Sequence, residues 1–350
     1  MKNFLIFFGF LIGFVGGYVG INFLNSNTSQ VNLENQDLNV VSFEKIETLK
    51  NKEETSNQNV NLPQPEDQTV RLAIVGDISF VGLTGEYMLE SGATPFQFVW
   101  EEFDKYDLVI GNLETNISEP GIGSPQPGKN YTFNSPIESL DKMKGNLDVV
   151  SLANNHTNDY GSQALLRQIE LLNENGIVSF GAGKDIDEAF EIKIVEVKGL
   201  RIGFMGVNSI EGYYQDVRSG RAGSAYFDEN LIKSSIEKYK DRYDFLIVMP
   251  HWGVEHQEVA NSWQRSWARK FVEWGVDLIV GAHPHVVQDE EVIDGVPVYY
   301  SLGNFIFSGF GWNPKAIESF ILGIEIKDGK IVNTSKTNVK LTYHGFPEII

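Results

Sequence analysis

The chain has 350 residues, 42% of them hydrophobic, which is enough for a substantial core and leaves room for one large domain or two small ones. Its 28 Lys and Arg against 47 Asp and Glu give a formal net charge of −19, which repels phosphate backbones and anionic lipid headgroups and excludes a backbone-reading binder of nucleic acid. The absence of cysteine excludes disulfide staples, thiolate metal sites and a lipid-modified cysteine.

Residues 4–24 contain no charged side chain. As a helix they reach about 31 Å, close to the hydrocarbon thickness of a bilayer. A cleaved leader would have a shorter apolar region and a small-x-small cleavage site, and neither is evident before Asn25. Residues 1–24 therefore read as an uncleaved signal anchor, a single transmembrane helix that fixes the protein in the cell membrane. Lys2 on its N-terminal side puts the N-terminus in the cytoplasm and the C-terminal domain outside. Residues 25–68, rich in Asn, Gln, Glu and Ser, read as a flexible polar linker with a coil reach of about 35–40 Å. At Thr69 the texture changes to strands alternating with helices, so the folded domain is expected over 69–350.

Five apolar runs in that domain read as strands buried on both faces, and each is closed by polar residues. The runs are 71–76 before Asp77, 108–112 before Glu114, 147–153 before Asn154-Asn155-His156, 245–250 before His251, and 278–282 before His283-Pro284-His285. In open α/β sheets the crevice beyond the carboxyl ends of the strands is where ligands bind, so Asp, Glu, Asn and His are aimed at one sheet edge. Between the runs, residues 162–173 place Leu165, Ile169 and Leu172 on one helical face, and Gly176 is the stop. Residues 230–242 and 262–274 have the same character. In the latter, Trp263, Trp267, Phe271 and Trp274 recur at three- and four-residue steps and read as core. The alternation predicts an α/β fold with a largely parallel sheet, closed by a hairpin whose turn is Asp328-Gly329.

Imidazole nitrogen and carboxylate oxygen suit manganese, zinc and iron. A lone loop histidine is usually a surface residue, but polar clusters at one strand end after another point to a divalent metal. Asn304 ends a further strand and is a candidate for substrate contact or for stabilising a turn. Arg221, with Arg218, lies in the Gly-rich stretch 217–224 and is a candidate for holding an anionic group.

The series Gly76-Asp77, Asn112-Leu113-Glu114, ANNHTNDYG at 153–161, HWGVE at 251–255, GAHPHV at 281–286 and YSLGNF at 300–305 resembles the CapA family. These are the poly-γ-glutamate capsule biosynthesis proteins of the calcineurin-like metallophosphoesterase superfamily. The resemblance implies a four-layer α/β/β/α metallophosphatase-like sandwich. It also implies Asp77, Glu114, Asn155, His251, His283 and His285 as metal ligands, and His156 as a general acid. Asp159 would orient that ring or cap the following helix. One position departs from the superfamily pattern: Ser79 stands where a histidine is usual. Glu114, Asn155, His251 and His283 then make one firm site, whereas Asp77, Glu114 and His285 make a second that is weak or absent.

Three functions fit the sequence. The leading one is a membrane-anchored, extracytoplasmic protein of the synthesis, export or anchoring of an anionic capsule polymer such as poly-γ-glutamate, working with other capsule-synthesis membrane proteins. The others are a metal-dependent surface phosphoesterase and a non-catalytic polymer-binding scaffold.

Overall fold

The apolar runs build two facing sheets in a computed structural model that describes residues 40–42 and 68–350. The expected anchor, and the expected linker apart from 40–42 and Gln68, lie outside the described residues. Among the described residues no helix is long and apolar enough to cross a membrane.

The first sheet runs, in spatial order, through Pro347–Ile349, Lys330–Leu341, Glu318–Lys327, Val70–Ile78, Leu108–Leu113, Val149–Ser151 and Val178–Phe180. It is parallel from Val70–Ile78 onward and antiparallel on the other side. The second sheet runs through Val40–Ser42, Lys193–Val197, Leu200–Asn208, Phe245–His251, Leu278–Val280, Val296–Tyr299 and Glu290–Ile293. It too is parallel in the centre, with antiparallel pairs at 193–197/200–208 and 290–293/296–299. The strand alternation predicts a largely parallel sheet; the structure has two mixed ones. Periodicity marks a strand as buried on both faces but says nothing of which strand lies beside it, and the antiparallel margins come from hairpins.

Alternating side chains explain the stacking. Leu72, Ile74 and Ile110 face Phe204, Ile247 and Val280 between the sheets. Their neighbours Ala73, Val75 and Val109 turn the other way, into a cluster with Leu165 and Leu172 of the helix Ser162–Glu174. On the far side, Met205, Leu246 and Val248 pack with Ile232 and Ile236 of Glu229–Tyr239 and with Ala268 and Phe271 of Ser262–Glu273. Three apolar layers thus separate four layers of structure, α/β/β/α. Each buried large side chain contributes roughly 1.5–3 kcal/mol, against about 0–1 for a surface ion pair, so apolar burial sets the layer order.

The helix Ser262–Glu273 begins at a capping box in which Asn261 accepts from the Gln264 backbone and Gln264 accepts from Asn261. Of its aromatic stripe, expected as core, only Phe271 is fully buried; Trp267 and Trp274 are half-buried and Trp263 is exposed, because the stripe lies at the rim of the outer layer, where Phe227 stands 4.8 Å from both Trp263 and Trp267. The closing hairpin turns at Asp328 and Gly329, whose φ values of 52° and 69° suit a type I′ turn. Next to the site, a Cβ on Gly76 would stand 1.8 Å from the Gly303 carbonyl, and only glycine lets the Asp77 amide reach that oxygen at 3.0 Å.

Candidate metal centre

Glu114 directly follows the strand Leu108–Leu113 and is 0% exposed, and neither carboxylate oxygen has a hydrogen-bond partner. Three imidazoles point at it: Oε1 lies 3.5 Å from His251 Nε2 and 3.9 Å from both His156 Nε2 and His285 Nε2. A carboxylate taken from water without donors costs several kcal/mol, so this arrangement suits a bound cation. The donor set of imidazole nitrogens, carboxylates and an amide oxygen fits manganese, zinc or iron.

The surrounding residues fix the ligand orientations. His251 is the last residue of its strand; its Nε2 lies 2.8 Å from Asn155 Oδ1, and its Nδ1 lies 3.2 Å from Asn112 Nδ2. Asp77 accepts from Asn112 Nδ2 through Oδ1 at 2.8 Å and from the His283 amide through Oδ2 at 3.3 Å, and that Oδ2 is also 3.3 Å from His285 Nδ1. Ligand atoms of Glu114, His251 and His283 lie within 4.8 Å of one another, as do those of Asp77, Glu114 and His285. The six expected ligands are therefore brought to one place. His283 and His285 adopt φ of 97° and 57°, left-handed values that cost a non-glycine residue about 1–3 kcal/mol and cluster at functional sites.

Burial raises the Glu114 carboxyl, but His285, His251 and His156 outweigh it and hold the group well below the usual carboxylate range. Burial opposes charge on His285 as well, yet Glu114 and Asp77 push it up to about 9. His283 goes the other way, held well below its ordinary value by burial and by the neighbouring His251 and His285.

His156 sits on the turn after Val149–Ser151 with Nδ1 2.5 Å from Asp159 Oδ2, an arrangement in which the ring donates to the carboxylate. Asp159 also accepts from the Phe133 amide at 2.7 Å and from Lys129 Nζ at 2.7 Å, and the Phe133 ring stacks on the imidazole at 3.9 Å. The Lys129 ammonium, almost fully buried, bonds the Asn155 carbonyl too and reaches Glu211 Oε2 at 2.8 Å. Sequence reasoning missed Lys129, Phe133 and Asn112. The first two lie in a Gly- and Pro-rich loop with no periodicity, where nothing local marks them.

Asn304, a candidate for substrate contact, is buried and committed to the protein. Its Oδ1 accepts from His285 Nδ1 at 2.9 Å, and its Nδ2 donates to the His285 and Ala316 carbonyls at 3.3 and 2.9 Å. Arg221 donates through Nη2 to the Asp216 carbonyl at 2.6 Å, in a loop that joins the His156 turn where Asn158 Nδ2 donates to the Ala222 carbonyl at 2.8 Å. Ser79 is fully buried, and its hydroxyl has no partner.

Layers and cluster together define an α/β/β/α sandwich with a candidate metal centre at its strand ends. The chain belongs to the family described as bacterial capsule synthesis protein PGA_cap, whose model matches residues 71–309 and so takes in every strand-end residue above. It is 31% identical over 249 residues to the PGA biosynthesis protein CapA of Bacillus subtilis (strain 168), which covers 70% of this chain and 65% of that one. It is 28% identical over 270 residues to the capsule biosynthesis protein CapA of Bacillus anthracis, covering 75% and 65%. The chain thus spans just under two thirds of the length of these relatives. Among solved structures, the calcineurin-like phosphoesterase YfkN from Bacillus subtilis aligns over 77% of this chain and 90% of its own, with 14% identity and a TM-score of 0.44.

Proposed function

We propose that this protein acts in the synthesis, export or anchoring of an anionic capsule polymer such as poly-γ-glutamate, through a divalent metal held at the strand ends. In this reading it is anchored in the cell membrane by residues 4–24, exposes its folded domain outside the cytoplasm and works beside other capsule-synthesis membrane proteins. Membership of a capsule-synthesis family supports the polymer, and the uncharged N-terminal stretch supports the anchor. The observation that carries the metal is Glu114, a buried carboxylate with no donor and three imidazoles turned toward it.

A divalent ion at this site would polarise a phosphoryl or acyl oxygen and lower the pKa of a water toward about 7. The chain's own role is to place groups around the reacting bond. Asp159 fixes the His156 ring through Nδ1, so that Nε2 holds or delivers a proton on the Glu114 side. Lys129 and the Phe133 amide keep Asp159 in position. Among the oxygens of the metal-facing turn, that of Asn155 is held by His251.

The test is genetic. Deleting the gene in its host should remove surface polymer, and restoration should follow with the wild-type gene but not with Glu114→Gln. Unchanged polymer in the deletion strain defeats the reading; rescue by Glu114→Gln defeats its metal component. The His156–Asp159 pair favours a phosphoesterase step as a second reading. For that, the full-length protein with manganese should hydrolyse members of a phosphomonoester and phosphodiester panel, and His156→Ala should lose turnover while still binding manganese. Failure across the panel rejects that step and leaves the polymer-binding scaffold.

A further inference from the structure

The strand Asn304–Ile306 runs on into a Gly-rich loop, residues 307–313, beside the candidate metal centre. Two of its rings lie against one of the candidate ligands: Phe310 is 4.8 Å and Phe307 5.3 Å from the His285 imidazole. The loop is held at both ends. The Phe307 amide donates to the Gly345 carbonyl at 3.1 Å, and Asn313 Nδ2 lies 3.3 Å from His256 Nδ1.

The same two rings line a groove of about 260 Å³, together with Leu83, Ile317, Leu341 and Tyr343. Tyr343 is 78% exposed, a large ring left in solvent on a turn that the Gly345 amide closes onto the Thr342 carbonyl at 2.9 Å. Charge sets the groove apart. The chain carries 47 acidic side chains, yet neither an acidic nor a basic residue lines it. What the loop offers a ligand is backbone: among the described residues, the N–H groups of Gly309, Phe310 and Gly311 have no acceptor in the protein. A Cβ on Gly309 or Gly311 would meet no atom within 4 Å, so that backbone is open to approach. Successive unbonded N–H groups favour an anionic oxygen.

We propose that this groove is a second binding subsite, which holds a γ-glutamyl unit of the polymer close along the chain from the unit at the metal centre. This rests on the polymer reading above and adds to it where the chain runs. A γ-glutamyl unit consists of two methylenes, an amide and an α-carboxylate. The methylenes lie on Leu83, Ile317 and Leu341 under the Tyr343 ring, and the carboxylate takes N–H groups of the 309–311 backbone. Phe307 and Phe310 form the wall that centre and groove share, so one strand can engage both. A phosphate group fits the groove less well, because it seeks arginine or lysine and none lines it. The absence of carboxylates there gives an anionic chain a way in past an acidic surface.

Calorimetric binding of a γ-linked glutamate hexamer to the full-length, manganese-loaded protein tests this. The wild type should bind the hexamer. Tyr343→Ala and Gly311→Glu, both changes at exposed positions, should leave melting temperature unaltered and manganese affinity within about twofold, and each should weaken the hexamer by about tenfold or more. Tyr343→Phe should keep the wild-type affinity. Hexamer affinity equal to the wild type in both Tyr343→Ala and Gly311→Glu overturns the groove while leaving the polymer reading standing. A wild-type dimer in light scattering that Gly311→Glu dissolves does the same, since a second copy of the chain then fills the groove. A manganese-loaded wild type that binds no hexamer overturns the polymer reading and this inference together.

Discussion

Asp216 is a buried carboxylate outside the candidate metal centre. It caps the small loop at 216–224, its Oδ2 is 3.5 Å from Arg218 Nη2, and its Oδ1 has no hydrogen-bond donor. Burial pushes its carboxyl up to about 6, and the nearby Arg218 and Arg221 only partly offset this. The sign follows from proton counting. Between its ordinary value of 3.8 and about 6, the unfolded chain has released this proton and the folded chain has not, so stability present below 3.8 is lost as pH rises through 6. The loss at neutral pH is on the order of 1–3 kcal/mol. Asp216→Asn cannot ionise, so its melting temperature relative to wild type should rise by several degrees between pH 4 and pH 7. A difference that stays flat over that range would show that Arg218 and Arg221 neutralise the carboxylate completely.

Strand ends are the elements that make the centre, and they tolerate little change in spacing. A Cβ on Gly281 would lie 2.1 Å from the Tyr300 carbonyl oxygen and 2.4 Å from Trp252 Nε1, which bond each other at 2.9 Å. Gly281→Ala should therefore push neighbouring strands apart just before His283, costing about 1–3 kcal/mol and weakening manganese binding; equal melting temperature and affinity would refute the argument. The same elements show what could be read from the sequence. Apolar runs closed by Asp77, Glu114, His156, His251 and His283 were legible because burial on both faces and the end of a strand are local signals. The Asp328-Gly329 turn was legible for the same reason. Two sheets in place of one were not legible in the periodicity and came only with the family resemblance, since strand pairing depends on partners far along the chain: Val70–Ile78 pairs with Glu318–Lys327. Nor was the bond from Asn304 to His285, or the reach of Lys129 across 30 residues to Asp159, both made by loops that meet only in the folded chain. Glu255 lay inside a recognisable motif, yet its place beside His283 and His285 is a matter of loop conformation.

At the scale of the whole molecule, the proposed function asks an acidic protein to engage an acidic polymer. With a net charge of −19, the long-range interaction with poly-γ-glutamate is repulsive, and under that proposal the attraction comes from short range at the candidate metal centre. Salt acts differently on the two. Raising ionic strength from about 0.01 to 0.1 M shortens the screening length from about 30 to about 10 Å, which removes most of the repulsion but leaves a carboxylate–metal bond of about 2 Å untouched. Binding of the full-length protein to poly-γ-glutamate should therefore tighten over that range, whereas polyanion binding through basic side chains weakens steeply with salt. The same binding should disappear on chelation of the metal and return when manganese is restored. If instead it weakens with salt and survives chelation, a local basic surface carries the contact, with the loop around Arg218 and Arg221 the first place to mutate. The sign of the salt dependence thus separates polymer held by the metal from polymer held by arginine, in a measurement that needs no catalytic turnover.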